Sequence, residues 1–250
     1  MIDDRELDKN CNRKNSIGFN VEADEVRAEF QHVGRVWFRG KLNSHELSVL
    51  DGTANLDQKA GERIAPRSEI MDVLSRDSGL ARIMSLFGRS LVPVRIVGFN
   101  KTQQNNWGVP WHQDRIISVA ERHDLPGFGN WSSKSGIWHC EPPEAILDQM
   151  FFVRVHLDDT SSADGAMRIA VGSHKEGVIP ADGARSVAET YPTEECRARR
   201  GDVLVLKMLT LHASHPSKSE NTRRVFRVDY APADLLPVPL AWHGLCSDSD

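Results

Sequence analysis

The chain has 250 residues, of which 40% are hydrophobic, 26% charged and 7% aromatic, and its formal net charge is −4. This composition excludes a wholly disordered chain, and no run approaches the roughly 20 apolar residues a membrane-crossing helix needs. The acidic balance argues against nucleic acid as the main partner. Four cysteines without a CxxC pair read as reduced thiols of a cytoplasmic protein, not as a disulfide framework or a zinc site.

The opening MIDDRELDKNCNRKN is charged and polar, unlike a secretory signal. Residues 1–20 are read as a flexible tail ahead of a single domain over 21–245. Val26 and Phe30 share one face of a helix predicted over Val21–His32, and Gly34–Phe38 reads as a short strand. Ser44 is the expected cap of a second helix, His45–Leu56. Ser68–Leu74 is helical, and Leu80, Ile83, Met84 and Phe87 give a fourth apolar face that Gly88 ends. The first third is therefore mainly helical.

From Leu91 the pattern changes. Leu91–Phe99 is rich in Val and Ile and reads as a strand. In Phe151–Leu157, Phe151, Val153, Val155 and Leu157 face one way and Phe152, Arg154 and His156 the other. Asp202–Leu206 and Arg223–Tyr230 complete the strands, and turn-rich pieces at Asp158–Gly165, Gly172–Gly177, Ala181–Gly183 and Pro216–Asn221 separate them. The expectation is a mainly β protein with flanking helices, an antiparallel sandwich or jelly roll. Arg122–Gln149 shows weak periodicity, so it is read as a long, ordered, lid-like loop at about 122–149.

The sharpest motif is Trp111-His112-Gln113-Asp114. In a strand, residues two apart share a face, so His112 and Asp114 converge while Gln113 points away. They supply two ligands of a two-histidine, one-carboxylate triad, which leaves open positions on Fe(II). The best third ligand is His212, in Leu209-Thr-Leu-His-Ala-Ser-His215, with His215 as competitor. Arg223 opens the next strand and could pair bidentately with the distal carboxylate of 2-oxoglutarate. Arg224 and Arg227 are its rivals; by parity Arg227 shares the face of Arg223, and Arg224 takes the other.

The order WHQD, Gly172-Ser-His174, Arg200-Gly-Asp-Val-Leu-Val205, Leu-His-Ala-Ser214 and Arg223-Arg224 resembles the phytanoyl-CoA dioxygenase family. The resemblance spans roughly residues 25 to 235. Two departures are Val171, where a proline usually precedes Gly-Ser-His, and Ser217, at a position often held by asparagine. The resemblance implies a double-stranded β-helix (jelly roll, cupin-like), Fe(II) on His112, Asp114 and His212, and 2-oxoglutarate on Arg223. It also implies O2 as the oxidant and a hydroxylated or otherwise oxidised small-molecule metabolite, with succinate and CO2 released. Asp114 sets the chain apart from related halogenases, which lack the carboxylate.

Further candidates follow from placement. Lys101, Thr102 or Gln103 could contact the cosubstrate, and Trp131 could pack over it. Arg115, Trp138 and His139 are candidate substrate residues, and they suit a partly apolar molecule with a polar handle. No nucleic-acid or membrane partner is expected, and the oligomeric state is not legible. The alternatives are a cupin-like metal enzyme that does not use 2-oxoglutarate, or a non-catalytic binding module on the same fold.

Overall fold

The computed structural model describes residues 23–53, 61–75, 77–88 and 90–243. The expected tail at 1–20 and the end of the second predicted helix, Leu56, lie outside them. Helix α1 covers 23–33 and leads into β1 (Arg35–Phe38); α2 (Ser44–Thr53), β2 (Gly61–Arg63), α3 (Ser68–Val73) and α4 (Gly79–Ser85) follow. The β-rich part runs β3 (Leu91–Lys101), β4 (Val109–His112), β5 (Ile117–Val119), β6 (Gly129–Lys134) and β7 (Ile137–Glu141). After helix α5 (Glu144–Leu147) come β8 (Phe151–His156), β9 (Met167–Ala170), a 3-10 turn at Ser173–Glu176 and helix α6 (Ala184–Ala188). The last strands are β10 (Thr193–Glu195), β11 (Val203–Lys207), β12 (His212–Ser214) and β13 (Arg223–Pro232).

The strands form antiparallel sheets. One has six strands in the order β1-β11-β8-β13-β3-β2, one has four as β10-β9-β12-β4, and one has three as β5-β7-β6. This is a mainly β, jelly-roll architecture with helices attached. Period-two alternation explains how the large sheet is covered on both faces. Phe151, Val153, Val155, Val203, Val205, Phe226 and Val228 pack with Phe30, Leu50, Ile70, Leu80 and Ile83 from the helices. The opposite face carries Phe152, Leu204 and Leu206, which meet Met167 and Ile169 of the four-stranded sheet. Each such side chain, fully buried, contributes about 1.5–3 kcal/mol. Among the described residues no helix is long and apolar enough to cross a membrane.

Two expectations change. The cap of α2 is Asn43, not Ser44: Asn43 Oδ1 accepts from Glu46 N at 2.9 Å, and Glu46 Oε2 accepts from Asn43 N at 2.7 Å. This is a reciprocal capping box with Ser44 as the first helical residue. Glu46 Oε1 also accepts from Gly79 N, which ties α2 to the start of α4. The second change concerns 122–149, which holds β6, β7 and α5. Ser135 and Gly136 turn the β6–β7 hairpin with φ of +51° and +79°, the geometry of a type I′ turn. The strands are short and mix polar with apolar residues, so no regular hydrophobic alternation announces them.

Gly34 joins α1 to β1 at φ +82°, and a Cβ there would lie 2.4 Å from His174 Nδ1. The Gly-Ser-His turn thus docks on the helical layer: His174 Nε2 meets Gln31 O at 3.0 Å, and Ser173 Oγ accepts from Leu211 N at 2.9 Å. The turn braces the approach to His212 and supplies no ligand to the metal cluster.

Candidate metal centre

His112 ends β4 and His212 begins β12, and the two are directly paired across the strands. Their ring centroids are 4.2 Å apart. Asp114 lies two residues beyond β4. One ligand atom from each of the three side chains falls within 4.8 Å of the others. His215, the competitor, is exposed.

The rings are held in a metal-ready tautomer. Nδ1 of His112 meets Pro110 O at 2.9 Å, and Nδ1 of His212 meets Thr210 O at 2.9 Å. A carbonyl can only accept, so the proton sits on Nδ1 and Nε2 keeps its lone pair. Burial, then the neighbouring His212, lowers the His112 pKa and favours the neutral ring. His212 Nε2 lies 3.3 Å from Asp114 Oδ2.

Burial alone would raise the Asp114 carboxyl, but the Arg227 guanidinium holds it well below the usual carboxylate range. Arg227 Nη1 is 2.5 Å from Asp114 Oδ2, and Arg227 Nε is 2.6 Å from Asp229 Oδ1. Arg95 Nε closes the row on Asp229 Oδ2 at 2.6 Å. Gln113 points away from the cluster, as parity requires. Its Oε1 accepts from Ile179 N at 2.8 Å, and its Nε2 donates to Gly177 O at 2.8 Å and Leu209 O at 2.7 Å.

The wall facing the triad is the inner face of the six-stranded sheet. A cavity of about 160 Å3 is lined by His112, Asp114, His212, Arg154, Arg223 and Arg227, with Phe99 and Trp107 at its side. Arg223 is buried, and its Nε and Nη1 have no hydrogen-bond partner; Arg154 Nε has none either. Burial pulls the Arg223 guanidinium down to about 10. Burial, then Arg223 and Arg227, pulls Arg154 down to about 9. Lys101 is buried beside them, donating to His215 O at 2.8 Å. Burial, then Arg223 and Arg154, lowers it to about 7. Buried cations with unused donors call for an anion. The donor set therefore fits two groups side by side: a divalent iron on two imidazoles and a carboxylate, and a carboxylate-bearing chelator against the arginines.

The structure thus brings His112, Asp114, His212 and Arg223 to one cavity. Arg224 faces away, 2.7 Å from Asp158 and 3.2 Å from Asp51. Thr102 sits in the turn after β3, where its Oγ1 accepts from Asn105 N at 3.0 Å. Trp131 and Trp138 stand edge to face, with centroids 6.4 Å apart, in the three-stranded sheet. Arg115 pairs with Glu141 at 3.3 Å, and His139 lines a separate cavity. Two features escaped the sequence reading. Arg154 was placed on the right face of β8 but given no role, and Arg227 was weighed only as a rival for the cosubstrate, not as the partner of Asp114.

Residues 7–225 match the family model described as phytanoyl-CoA dioxygenase (PhyH). Among solved structures, AviO1 from Streptomyces viridochromogenes Tue57 is 18% identical with a TM-score of 0.59, over 87% of this chain and 98% of that one. SnoN, a non-haem α-ketoglutarate-dependent epimerase from nogalamycin biosynthesis, is 17% identical with a TM-score of 0.60, over 91% and 92% of the two chains. HygX from Streptomyces hygroscopicus, with nickel and 2-oxoglutarate bound, is 18% identical with a TM-score of 0.55, over 82% and 85%. At these identities the likeness is one of fold. No curated protein matches the chain.

Proposed function

The chain belongs to the phytanoyl-CoA dioxygenase family, and from that membership we propose that it oxidises a small-molecule metabolite, by hydroxylation in the first instance, with release of succinate and CO2. The family is one of 2-oxoglutarate-dependent non-haem iron enzymes, and this chain is such an enzyme, using Fe(II), 2-oxoglutarate and O2. The observation that carries the finer reading is the pairing of the His112, Asp114 and His212 cluster with the buried guanidinium of Arg223, whose Nε and Nη1 lack partners.

His112 and His212 would hold the metal through Nε2, and Asp114 through its carboxylate. When bound, iron with 2-oxoglutarate would supply the power to oxidise an unactivated C–H bond with O2 as the oxidant. The protein's part is positioning. Arg223 would hold the distal carboxylate of 2-oxoglutarate, with Arg154 and Lys101 adding positive charge nearby. Arg227 keeps Asp114 ionised and fixes its orientation. Phe99 and Trp107 wall the cavity against water.

The test is succinate formation from 2-oxoglutarate with added Fe(II), first alone and then with a metabolite extract. Native protein is expected to turn over only with iron, and Asp114→Ala to be silent. Absence of turnover, together with absence of anaerobic 2-oxoglutarate binding, would overturn the reading in favour of a metal enzyme or binding module that does not use 2-oxoglutarate.

A further inference from the structure

A second cavity, of about 680 Å3, lies where β2 meets β3 at the edge of the six-stranded sheet. It is larger than the cavity at the triad and falls in the size range of small-molecule sites. Ile64, Val94, Ile96 and Ile137 give it an apolar side, and Arg63, Arg95 and Lys134 give it a cationic one; Glu62 also lines it.

Arg63 is propped by a ring nitrogen. His139 Nδ1 meets Ile137 O at 3.0 Å, so His139 Nε2 is the acceptor for Arg63 Nη2 at 2.8 Å. Burial, then Arg63, keeps that imidazole below its ordinary pKa. The guanidinium therefore rests on a neutral ring, beside a second guanidinium, that of Arg95. Burial, then Arg95, accordingly lowers Arg63 from its usual value. A propped arginine beside another arginine and an exposed lysine forms a seat for an oxyanion.

We propose that this cavity binds an amphiphilic anion whose carboxylate or phosphate sits on Arg63, Arg95 and Lys134 while its apolar body lies against Ile64, Val94 and Ile137. The anion seat does not rest on the iron and 2-oxoglutarate reading above. Arg95 links the seat to the metal centre. Asp229 takes Arg95 on one oxygen and Arg227 on the other, and Arg227 takes Asp114. An anion seated there thus touches one end of a charged row whose other end is Asp114.

The test uses the full chain loaded anaerobically with Fe(II) and saturated with 2-oxoglutarate, titrated calorimetrically with octanoate, octyl phosphate and 1-octanol. At least one of the two anions is expected to bind, with octanol at least tenfold weaker. Arg63→Gln keeps a donor for His139 and removes the charge; Lys134→Gln alters an exposed side chain and leaves packing untouched. Each is expected to weaken the anion at least fivefold without changing 2-oxoglutarate affinity. The proposal is overturned if neither anion binds, if octanol binds as well, if the anion competes with 2-oxoglutarate, or if both variants bind like the native chain. Should the native chain fail to bind 2-oxoglutarate, the oxygenase reading falls, and the same titrations without it still decide the anion seat.

Discussion

Arg227 Nη1 sits 2.5 Å from Asp114 Oδ2, the same carboxylate oxygen that faces His212 Nε2 at 3.3 Å. The arginine is buried among Phe152, Met208 and Asp229, its guanidinium carbon 3.8 Å from the Phe152 ring centroid. It is therefore a fixed partner and not a surface charge. Removing one member of such a buried pair costs about 3–5 kcal/mol, and loss of a group that orients a ligand costs about 10–100-fold in metal affinity. Arg227→Met should show both effects, in thermal unfolding and in Fe(II) titration followed by spectroscopy. Arg227→Lys should recover part of the stability and less of the affinity, because a single ammonium cannot span Asp114 and Asp229.

Arg223 behaves oppositely. It is buried with Nε and Nη1 unpartnered, so in the free protein it is a cost. Arg223→Met is expected to leave thermal stability unchanged or to raise it. The same substitution should weaken 2-oxoglutarate by about 30-fold or more, the scale of losing about 2–5 kcal/mol from a buried charge pair. Calorimetric titration under anaerobic conditions reads the affinity, and a melting curve on the same sample reads the stability.

Lys101 gives a pH signature with two signs. Burial, then Arg223 and Arg154, brings it to about 7 in the folded chain, against about 10.5 for a free lysine. Between those two values the unfolded state keeps a proton that the folded state has released, so stability rises with pH across the window. Anion affinity moves the other way, because deprotonation removes a positive charge beside the arginines. The 2-oxoglutarate dissociation constant should increase about three- to tenfold from pH 6 to pH 8, the size of one partly screened charge interaction. In Lys101→Met both slopes should flatten, and an unchanged slope would assign the titration elsewhere.

At Gly34 an added Cβ would meet the His174 ring at φ +82°. Gly34→Ala is expected to cost about 1–3 kcal/mol, which lowers the melting temperature by several degrees in a chain of this size. Fe(II) affinity should fall little, since His174 touches no ligand.

Local rules carried much of this structure into the sequence. The alternation in Phe151–Leu157 places Phe152, Arg154 and His156 on one face and the valines on the other, and the structure divides them that way. The parity of Arg223, Arg224 and Arg227 separates the two inward guanidiniums from the one that pairs with Asp158. Pairings between distant strands were not legible. Nothing near Asp114 points to Arg227, 113 residues on, and nothing near Arg63 points to His139. Trp131 and Trp138 are candidates through their place in the lid-like stretch, and Arg115 through its place just past Asp114. In the structure the two tryptophans stand edge to face, and Arg115 pairs with Glu141. At α2, Asn43 and Ser44 are both good caps, and the box geometry with Glu46 decides between them.

Gln113, the residue between the two ligands of WHQD, is a clamp. One amide holds the backbone at Gly177 and Ile179 on one segment and at Leu209 on another, and the two converge on the strand that carries the ligands. The backbone that carries His112, Asp114 and His212 is thereby held by peptide groups, independently of an ion. Folding and metallation are then separate events, unlike those small domains that unfold when their ion is removed. A chelator should strip this protein of its iron and leave an intact, refillable vessel, in which loading follows the supply of metal and not the folding of the chain.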